Sequence, residues 1–362
     1  MPDIDEFLPD DGEDRQRSQA DRYRRERDSS RRYAAVLDER VQTLQAALGI
    51  RDAVHGIVLN PPKWQTKQHR KGKGKYHAIA QLNFSDWHFD EVVQPELMNY
   101  VNAYNRRIGE LRLRQWADSV IQVAKMQSDS IEWDGAVLSI NGDVFSGWIH
   151  GLKETNDGEG LIKDVRHWAR LIAAAIELLL EVFPTISVYC TVGNHGRLSV
   201  KWDSKRAISE NVEYLLGLTL QDWFEQHAKV NVVVAESVDL LFPIYDLRFL
   251  QTHGNTGGGN GGSGLAGFWP RLARMRLSKQ TLYRSQGGFD IVVCGHFHKY
   301  SPAVVGRSGV LVNGAGKGFD DYARDWGFDA EEAIQAMMQV SPERGVTAHY
   351  PIFVADRKSE GW

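Results

Sequence analysis

The sequence predicts a layered α/β protein, and three observations carry this prediction. Short apolar, β-rich runs recur along the chain, at 78–84, 136–140, 186–190, 245–250 and 291–294. Helical patterns lie between several of these runs, so strands and helices alternate as a layered α/β domain requires. At 362 residues with 42% hydrophobic content, the chain is long enough to bury a substantial core.

Apolar spacing predicts two internal helices. One covers residues 95–126, with Tyr100 and Tyr104 on a face that is expected to lie in the core. The other covers residues 161–182 and is apolar on most sides, which is typical of a buried helix. Residues 319–340 are predicted to form a loop followed by a short helix.

A separate N-terminal segment is predicted over residues 1–50, ahead of a catalytic domain over residues 51–362. Seven acidic residues fall within 1–14 and eight arginines within 15–32. Apolar residues then recur at intervals of four, three and four positions, at Leu37, Val41, Leu44 and Leu48. This spacing predicts a helix with one apolar stripe that ends at Gly49. The stripe either packs on the catalytic body or pairs with another subunit or a protein partner, and two heptads are too few to predict a coiled coil.

Each β-rich run is followed by polar residues of the kinds that bind metals. In chain order the five fragments are Asp86-Trp-His88, Gly142-Asp143, Gly193-Asn194-His195, Thr252-His253-Gly254 and Gly295-His296-Phe-His298. Strand ends are where α/β proteins place their sites. Carboxylate, imidazole and amide ligands suit Mn, Fe or Zn, whereas calcium prefers an all-oxygen shell. Any one fragment alone would also fit a surface turn or a core histidine, but the set predicts a two-metal hydrolase.

The spacing within two fragments adds geometry. Asp86 and His88, and likewise His296 and His298, are two positions apart. On an extended segment such residues point the same way, so each pair can face a common pocket while the aromatic residue between them turns toward the body.

In this order the fragments resemble the calcineurin-like metallophosphoesterase superfamily, whose pattern is D-x-H, G-D, G-N-H, H and G-H-x-H. The resemblance runs from about Asp86 to His298. It implies a four-layer sandwich, in which two mixed β-sheets pack face to face with helices outside, and a dinuclear site at the strand ends.

The resemblance also implies a ligand set. It places Asp86, His88 and His298 on one ion, Asn194, His253 and His296 on the other, and the Asp143 carboxylate between them. The two divalent ions are expected to be Mn²⁺, with Fe, Zn or Mg as alternatives. They would activate a water for attack on phosphorus. His195 would lie outside the metal shell and stabilise the transition state or protonate the leaving oxygen.

One position departs from the superfamily pattern. Many members follow the Asn-His pair with Asp or Glu, which orients the histidine, whereas this chain has Gly196. Either another carboxylate or a backbone carbonyl must then hold His195. The next residue, Arg197, is a candidate to bind a substrate phosphate, because a guanidinium donates two parallel hydrogen bonds to phosphate oxygens. An ordinary loop arginine is the alternative.

A basic segment precedes the first metal-binding fragment. Residues 63–75 contain six cations and no acid. Lys71, Lys73 and Lys75 are candidate contacts to a nucleic-acid backbone beside the metal centre, because lysines that neutralise phosphates release counterions. The alternative is a solvated loop, since the interspersed glycines and the like charges disfavour fixed structure. The glycine-rich stretch 254–264 is predicted to be a mobile loop over the pocket or a tolerated surface insertion.

Composition excludes two classes of protein. The net charge of −4 is not that of a uniformly basic nucleic-acid-binding protein, so any binding to a polyanion must come from local patches. No run approaches the roughly 18 apolar residues of a membrane span, and the acidic start lacks the features of a signal peptide. We expect no membrane association and a cytoplasmic location. The stretch 142–156 resembles phage-encoded and bacterial members of the superfamily. For a phage-encoded protein, the expected location is the cytoplasm of the bacterial host.

The function expected from the sequence is a metal-dependent phosphoesterase. Within that class, the basic segment favours a nuclease acting on DNA, and the chain resembles the exonuclease subunits of bacterial recombination and repair complexes. A small-molecule phosphomonoesterase or a cyclic-nucleotide phosphodiesterase is the alternative. A non-catalytic binding module is the third hypothesis. It is disfavoured because a metal-binding residue occurs at every ligand position of the pattern.

Overall fold

The structure is a computed structural model, and it describes residues 11–56, 74–147, 156–199, 203–256, 265–325, 327 and 329–362. The chain divides into two units, Met1–Lys73 and Gly74–Trp362. No helix in the described ranges is both long enough and apolar enough to cross a membrane.

The first unit contains one long helix, α1, which covers Asp11–Gly56. The predicted stop at Gly49 is wrong, because the helix continues through this residue. A glycine inside a helix costs only about 1 kcal/mol relative to alanine, and the neighbouring Ala, Leu and Arg residues are strong helix formers. Residue 50, the predicted end of the N-terminal segment, therefore lies within α1.

The described residues of the second unit form six further helices and eleven strands. The helices are α2 (Arg106–Met126), α3 (Leu161–Leu179), α4 (Val212–Phe224), α5 (Leu265–Leu282), α6 (Asp321–Asp325) and α7 (Arg357–Glu360). The strands are β1 (Tyr76–Phe84), β2 (Ile131–Asn141), β3 (Ile186–Thr191), β4 (Val230–Val234), β5 (Asp239–Ile244), β6 (Leu247–Thr252), β7 (Ile291–Cys294), β8 (Ser301–Val305), β9 (Ser308–Val312), β10 (Ile334–Ser341) and β11 (Gly345–Phe353).

The strands make two mixed sheets. The first has the order β11-β10-β1-β2-β3-β4, and β1 to β4 run parallel while β10 and β11 are antiparallel to their neighbours. The second has the order β5-β6-β7-β9-β8, with β6, β7 and β9 parallel and an antiparallel strand at each edge.

The side chains sort into four layers. Between the sheets, Val137 and Met338 of the first sheet share a buried cluster with Phe249 and Ile291 of the second. The outer face of the first sheet packs against α2, α3 and α4, which contribute residues such as Trp168. Helix α5 covers the outer face of the second sheet, where its apolar residues join a third cluster. The predicted fold, two mixed sheets packed face to face between helices, is confirmed.

Two predicted elements differ from the structure. The helix predicted over 95–126 is interrupted: a short 3₁₀ helix covers Pro95–Met98, and α2 begins only after Asn105. Asn99 and Tyr100 have left-handed backbone, with φ of 49° and 58°, which ends the first turn. Asn105 then caps α2 by accepting a hydrogen bond from the Ile108 N–H. Residues 319–340 contain α6 followed by strand β10, so the helix predicted late in this range is wrong.

Candidate metal centre

Loops at the carboxyl ends of five strands bring six of the seven predicted ligands together, and His195 with them. These loops follow β1, β2 and β3 in the first sheet and β6 and β7 in the second. Among the described residues, the candidate ligand atoms form three groups, in each of which the atoms lie within 4.8 Å of one another. The groups are Asp86, His88 and His298; His88, Asp143 and His195; and Asp143, His253 and His296. Because the groups share members, they make one contiguous centre with Asp143 in its middle.

The loop after β1 is anchored by the aromatic residue between its two candidate ligands. Trp87 is fully buried and stacks on Phe84, with 4.8 Å between ring centroids, and on Phe89, with 5.2 Å. Its carbonyl accepts a hydrogen bond from the Tyr104 hydroxyl at 2.8 Å. Since Trp87 is held in the core, the side chains before and after it are held toward the centre, as the spacing predicted.

The backbone that carries these ligands is not extended. Five of the seven candidate ligands have left-handed φ angles: Asp86 (55°), His88 (47°), Asp143 (49°), His296 (68°) and His298 (52°). The prediction of an extended segment is therefore wrong, because the chain curls over the strand end instead of continuing it. Such backbone costs roughly 1–3 kcal/mol per residue, and it concentrates at functional sites where surrounding contacts hold it in place.

Three glycines of the motifs leave room for this arrangement. A Cβ at Gly193 would overlap Asp143 Oδ1, and a Cβ at Gly295 would overlap Asp86 Oδ2. A Cβ at Gly142 would overlap the backbone nitrogen of Gly193. Glycine is required at these positions because the candidate ligands occupy the space in which a side chain would begin.

The Asp143–His253 pair tests whether a cation fits the centre. His253 Nδ1 lies 2.9 Å from the Asn141 carbonyl, which can only accept, so Nδ1 carries a proton. The other ring nitrogen, Nε2, faces Asp143 Oδ2 at 2.9 Å without hydrogen-bond geometry. Lone pairs on both atoms would repel each other at this separation. Either a cation or a second proton on the His253 ring must therefore lie between them. Burial opposes the charged imidazolium, but the Asp143 carboxylate outweighs it and raises the pKa of His253 to about 10.

Other buried atoms point to the same chemistry. His88 Nε2 and His298 Nε2 lie 3.0 Å apart, and the buried side-chain oxygen of Asn194 has no hydrogen-bond partner. Burial, together with the charges of Lys317 for His88 and His253 for His296, lowers the pKa of both histidines, that of His296 to about 3. A neutral imidazole with a free lone pair is the form that binds a metal. The donor set therefore fits divalent cations.

The structure shows what holds His195 in the absence of an acid at position 196. Its Nδ1 donates to the Ser146 carbonyl at 2.9 Å, and its backbone N–H donates to Asp143 Oδ1 at 2.8 Å. Of the two alternatives expected from the sequence, the backbone carbonyl is the correct one. The ring of His195 lies edge-on to the ring of His88, with 4.5 Å between the two ring centroids. Burial lowers the pKa of His195 to about 4.

Sequence reasoning missed two buried charged groups beside the centre. Glu213, the second residue of α4, accepts from two backbone N–H groups of the ligand loops. Lys317 donates to Glu91 at 2.8 Å and pairs with Asp320, while Glu91 lies 3.6 Å from His88 Nδ1. Neither group belongs to a motif or a periodic pattern, so no signal in a single sequence marks them.

The predicted substrate-binding cations do not all lie at the metal centre. Arg197 lies at the centre, where its guanidinium donates to the Asn194 carbonyl at 2.7 Å. Lys75 is exposed and precedes the amino end of β1, whereas the ligand loop leaves the carboxyl end. Nine residues of strand separate Lys75 from that end, which is roughly 30 Å at 3.3 Å per residue. The prediction that this lysine lies beside the metal centre is wrong. Lys71, Lys73 and most of the glycine-rich stretch lie outside the described residues.

Comparison with known proteins finds distant similarities to solved structures. No protein-family model matches the sequence, and no curated protein matches it. The vacuolar protein sorting 29 structure from Cryptosporidium parvum is 11% identical, covers 76% of this chain and 98% of its own, and has a TM-score of 0.32. Yfce, a phosphoesterase from E. coli, is 15% identical, with 75% and 99% coverage and a TM-score of 0.30. An archaeal phosphodiesterase is 13% identical, with 75% and 99% coverage and a TM-score of 0.31.

The resemblance to a superfamily rests on this chain's own residues. Its five fragments occur in the predicted order, each follows a strand, and their side chains meet at one end of a two-sheet sandwich. In its two-sheet sandwich and in the order of its motifs, this chain resembles the calcineurin-like metallophosphoesterases.

Proposed function

We propose that this protein is a dinuclear-metal-dependent phosphodiesterase, and that it acts on DNA as a nuclease. The observation that carries the proposal is the convergence of two carboxylates and five imidazoles from five strand ends, with His88 Nε2 3.0 Å from His298 Nε2 and His253 Nε2 2.9 Å from Asp143 Oδ2. In this proposal one ion is held by Asp86, His88 and His298, the other by Asn194, His253 and His296, and Asp143 bridges them.

When bound, two divalent ions supply charge that clamps a phosphoryl group and lowers the pKa of a water molecule that attacks phosphorus. The chain's own residues set the geometry. Asp143 faces His253 with one oxygen and accepts from the His195 N–H with the other, which suits a carboxylate placed between two sites. Mn²⁺ is the proposed ion because the donor set mixes carboxylate, imidazole and amide oxygen.

His195 is the proposed catalytic side chain. Its Nδ1 donates to the Ser146 carbonyl, so Nε2 is the ring nitrogen through which it would act on a substrate. The ring is neutral near pH 7, since burial lowers its pKa to about 4. The negative charge of a bound phosphodiester favours the protonated ring, and Nε2–H would then stabilise the transition state or protonate the departing oxygen.

The DNA substrate is proposed from the cations. Arg197 is placed beside Asn194 to contact a phosphate near the cleaved bond. Lys75 lies at the far end of β1, where it would bind a phosphate remote from that bond. About ten base pairs of duplex span this distance at 3.4 Å per base pair. Only a polymer could contact both places at once.

A small-molecule phosphoesterase is the second candidate function. It is supported by the contact of the Arg197 guanidinium with the carbonyl of Asn194, a proposed ligand, whereas Lys75 lies at the far end of β1. A phosphomonoester or a cyclic nucleotide would need no contact with the basic segment.

A substrate panel separates the two candidates. Metal-stripped protein is reloaded with Mn²⁺ and assayed on single- and double-stranded DNA, RNA, a cyclic nucleotide, bis-p-nitrophenyl phosphate and p-nitrophenyl phosphate. We expect DNA cleavage and diester hydrolysis that are both abolished in Asp143→Asn, with Asp222→Asn on the exposed surface as the control. Turnover of the phosphomonoester or the cyclic nucleotide without cleavage of any nucleic acid would reject the nuclease. Unchanged hydrolysis in Asp143→Asn would reject the metal centre itself.

A further inference from the structure

Two loops of the metal centre are joined by one buried carboxylate. Glu213 Oε1 accepts from the Val144 N–H at 2.6 Å, and Oε2 accepts from the Gly193 N–H at 2.6 Å. Val144 directly follows Asp143, and Gly193 directly precedes Asn194. The carboxylate therefore fixes the separation of the loop that carries Asp143 from the loop that carries Asn194.

Helix α4 holds this carboxylate in place. Asn211, the N-cap of α4, accepts from the Glu213 N–H at 2.9 Å and donates to the Gly193 carbonyl at 2.9 Å. Glu213 is only 4% exposed. Both of its oxygens are thus used by backbone donors in a site that water does not reach, where hydrogen bonds to a carboxylate are strongest.

The side chain of Glu213 occupies space that a side chain at position 196 would otherwise enter. A Cβ built on Gly196 would lie 2.3 Å from Asn211 Oδ1, 2.7 Å from Glu213 Cγ and 3.0 Å from the Glu213 carboxyl carbon. The carboxyl carbon of a glutamate is two bonds from its Cβ, so a glutamate at position 196 would bring its carboxylate to nearly the same place. Gly196 is outside the left-handed φ region, so its backbone does not require glycine. The side chains of Asn211 and Glu213 do, because both occupy the space that a Cβ would enter.

We propose that Glu213 is a positioning residue for the metal centre, and that it supplies from α4 the carboxylate that the superfamily pattern places directly after the Asn-His pair. The role of that acid is divided in this chain: the Ser146 carbonyl orients His195, and Glu213 sets the two ligand loops. This inference rests on the proposed metal centre and extends it to a residue that no motif contains.

The first test measures Mn²⁺ affinity by isothermal titration calorimetry on metal-stripped protein. Glu213→Gln keeps the volume but presents one oxygen and one NH₂ to two N–H donors, so one loop loses its partner. We expect Mn²⁺ to bind 10- to 100-fold more weakly, as is typical when the partner of a ligand is removed. Glu360→Gln is the matched control, because Glu360 is also a buried carboxylate but pairs with Arg112. It should lower the melting temperature and leave Mn²⁺ affinity unchanged.

The second test moves the carboxylate. Asn211→Gly combined with Glu213→Ala removes both the carboxylate and the Asn211 oxygen that blocks position 196, and adding Gly196→Glu to this pair returns the carboxylate from the other position. We expect the triple variant to bind Mn²⁺ at least fivefold more tightly than the Asn211→Gly and Glu213→Ala pair, and Gly196→Glu alone to be destabilised because its side chain would compete with those of Asn211 and Glu213 for one space.

The outcomes decide separately between this inference and the proposed function. Wild-type protein that does not bind Mn²⁺ would remove the proposed function. Wild-type protein that binds Mn²⁺ while Glu213→Gln binds it within twofold of wild type would overturn the role of Glu213 alone. Should Glu213→Gln not fold, the comparison of the triple variant with the Asn211→Gly and Glu213→Ala pair decides, and equal affinities would reject the relocated carboxylate.

Discussion

The candidate ligands could be predicted from the sequence because their chemistry and their position in the chain agree. Asp, His and Asn side chains follow apolar runs, and α/β proteins place functional groups at such strand ends. Their left-handed backbone could not be predicted, since it depends on how each loop crosses the sheet edge. Glu213 could not be found either, because it is one of 47 acidic residues and only its three-dimensional contacts distinguish it. The Ser146 carbonyl has no side-chain signal at all.

At the residue scale, replacement of His195 separates catalysis from metal binding. His195→Asn removes Nε2 from the centre but leaves the seven candidate ligands in place. We expect kcat on bis-p-nitrophenyl phosphate to fall by about 10²–10⁴, which is the range for loss of a general acid. Metal content, measured by mass spectrometry of the loaded protein, should not change. A matching loss of bound metal would make His195 a ligand instead, and His227→Asn on the surface provides the control.

A second residue, Asp90, should make stability depend on pH. Burial raises its pKa to about 7, against smaller opposing effects of its hydrogen bond from the Trp168 indole and of Arg106. Because the folded-state pKa lies above the unfolded value, the contribution of Asp90 is fully present below about pH 4 and is lost as the pH rises toward 7. Asp90→Asn removes this loss, since an amide does not ionise.

The measurement is the free energy of unfolding of metal-free protein by urea at several pH values. We expect the variant to gain stability relative to wild type between pH 4 and 8, by roughly 2–4 kcal/mol over the whole range. Asp222→Asn, in an exposed position, should show no such trend. A wild-type-minus-variant difference that is flat across this range would show that Asp90 ionises normally.

At the element scale, the sequence indicates strands more reliably than it indicates where helices begin and end. Each β-rich run became a strand because apolar side chains are needed on both faces of a sheet that lies between a second sheet and helices. The interruption before α2 was not visible, because it depends on left-handed backbone at Asn99 and Tyr100, residue types that also occur inside helices. At Gly49 the sequence predicted the end of a helix, whereas the helix continues. A helix of 46 residues can accommodate one unfavourable residue.

The exposed stripe of α1 predicts self-association. Leu37, Val41 and Leu44 are between 45% and 58% exposed, and an apolar stripe of this kind is commonly buried against a partner. We expect light scattering after size exclusion to give the mass of a dimer for the full chain, and that of a monomer for Leu37→Glu combined with Leu44→Glu.

The matched control for this experiment adds the same charge to the opposite face of α1. Ala35→Glu combined with Gln42→Glu should leave the dimer intact, because these positions are half a helical turn away from the stripe. An unchanged mass in the Leu37 and Leu44 variant would rule out pairing through the stripe and leave the alternative in which it packs on the catalytic body.

At the scale of the whole molecule, the proposed centre depends on both sheets. Asp86, Asp143 and Asn194 follow strands of the first sheet, whereas His253 and His296 follow strands of the second. Each proposed ion would take ligands from both, so a bound metal would join the two halves of the sandwich. The layered class could be predicted from the alternation of strands and helices. The pairing order of the strands could not, because it is set by contacts between residues that are far apart in the sequence, such as those of β1 with β10.

The distance between Lys75 and the metal centre yields a prediction that only a polymer substrate satisfies. We expect Lys71→Gln, Lys73→Gln and Lys75→Gln together to weaken DNA binding and raise KM for DNA, while kcat/KM for bis-p-nitrophenyl phosphate stays unchanged, because a small diester contacts the centre alone. Loss of three phosphate contacts should also reduce the slope of log Kd against log salt concentration by about 2.7. Arg197→Gln, at the centre, should instead impair both substrates. If the lysine variant lost the same factor of kcat/KM on DNA and on the small diester, the basic segment would support the fold or the centre. If all three substitutions left the DNA affinity unaltered, the main support for a nuclease would be removed.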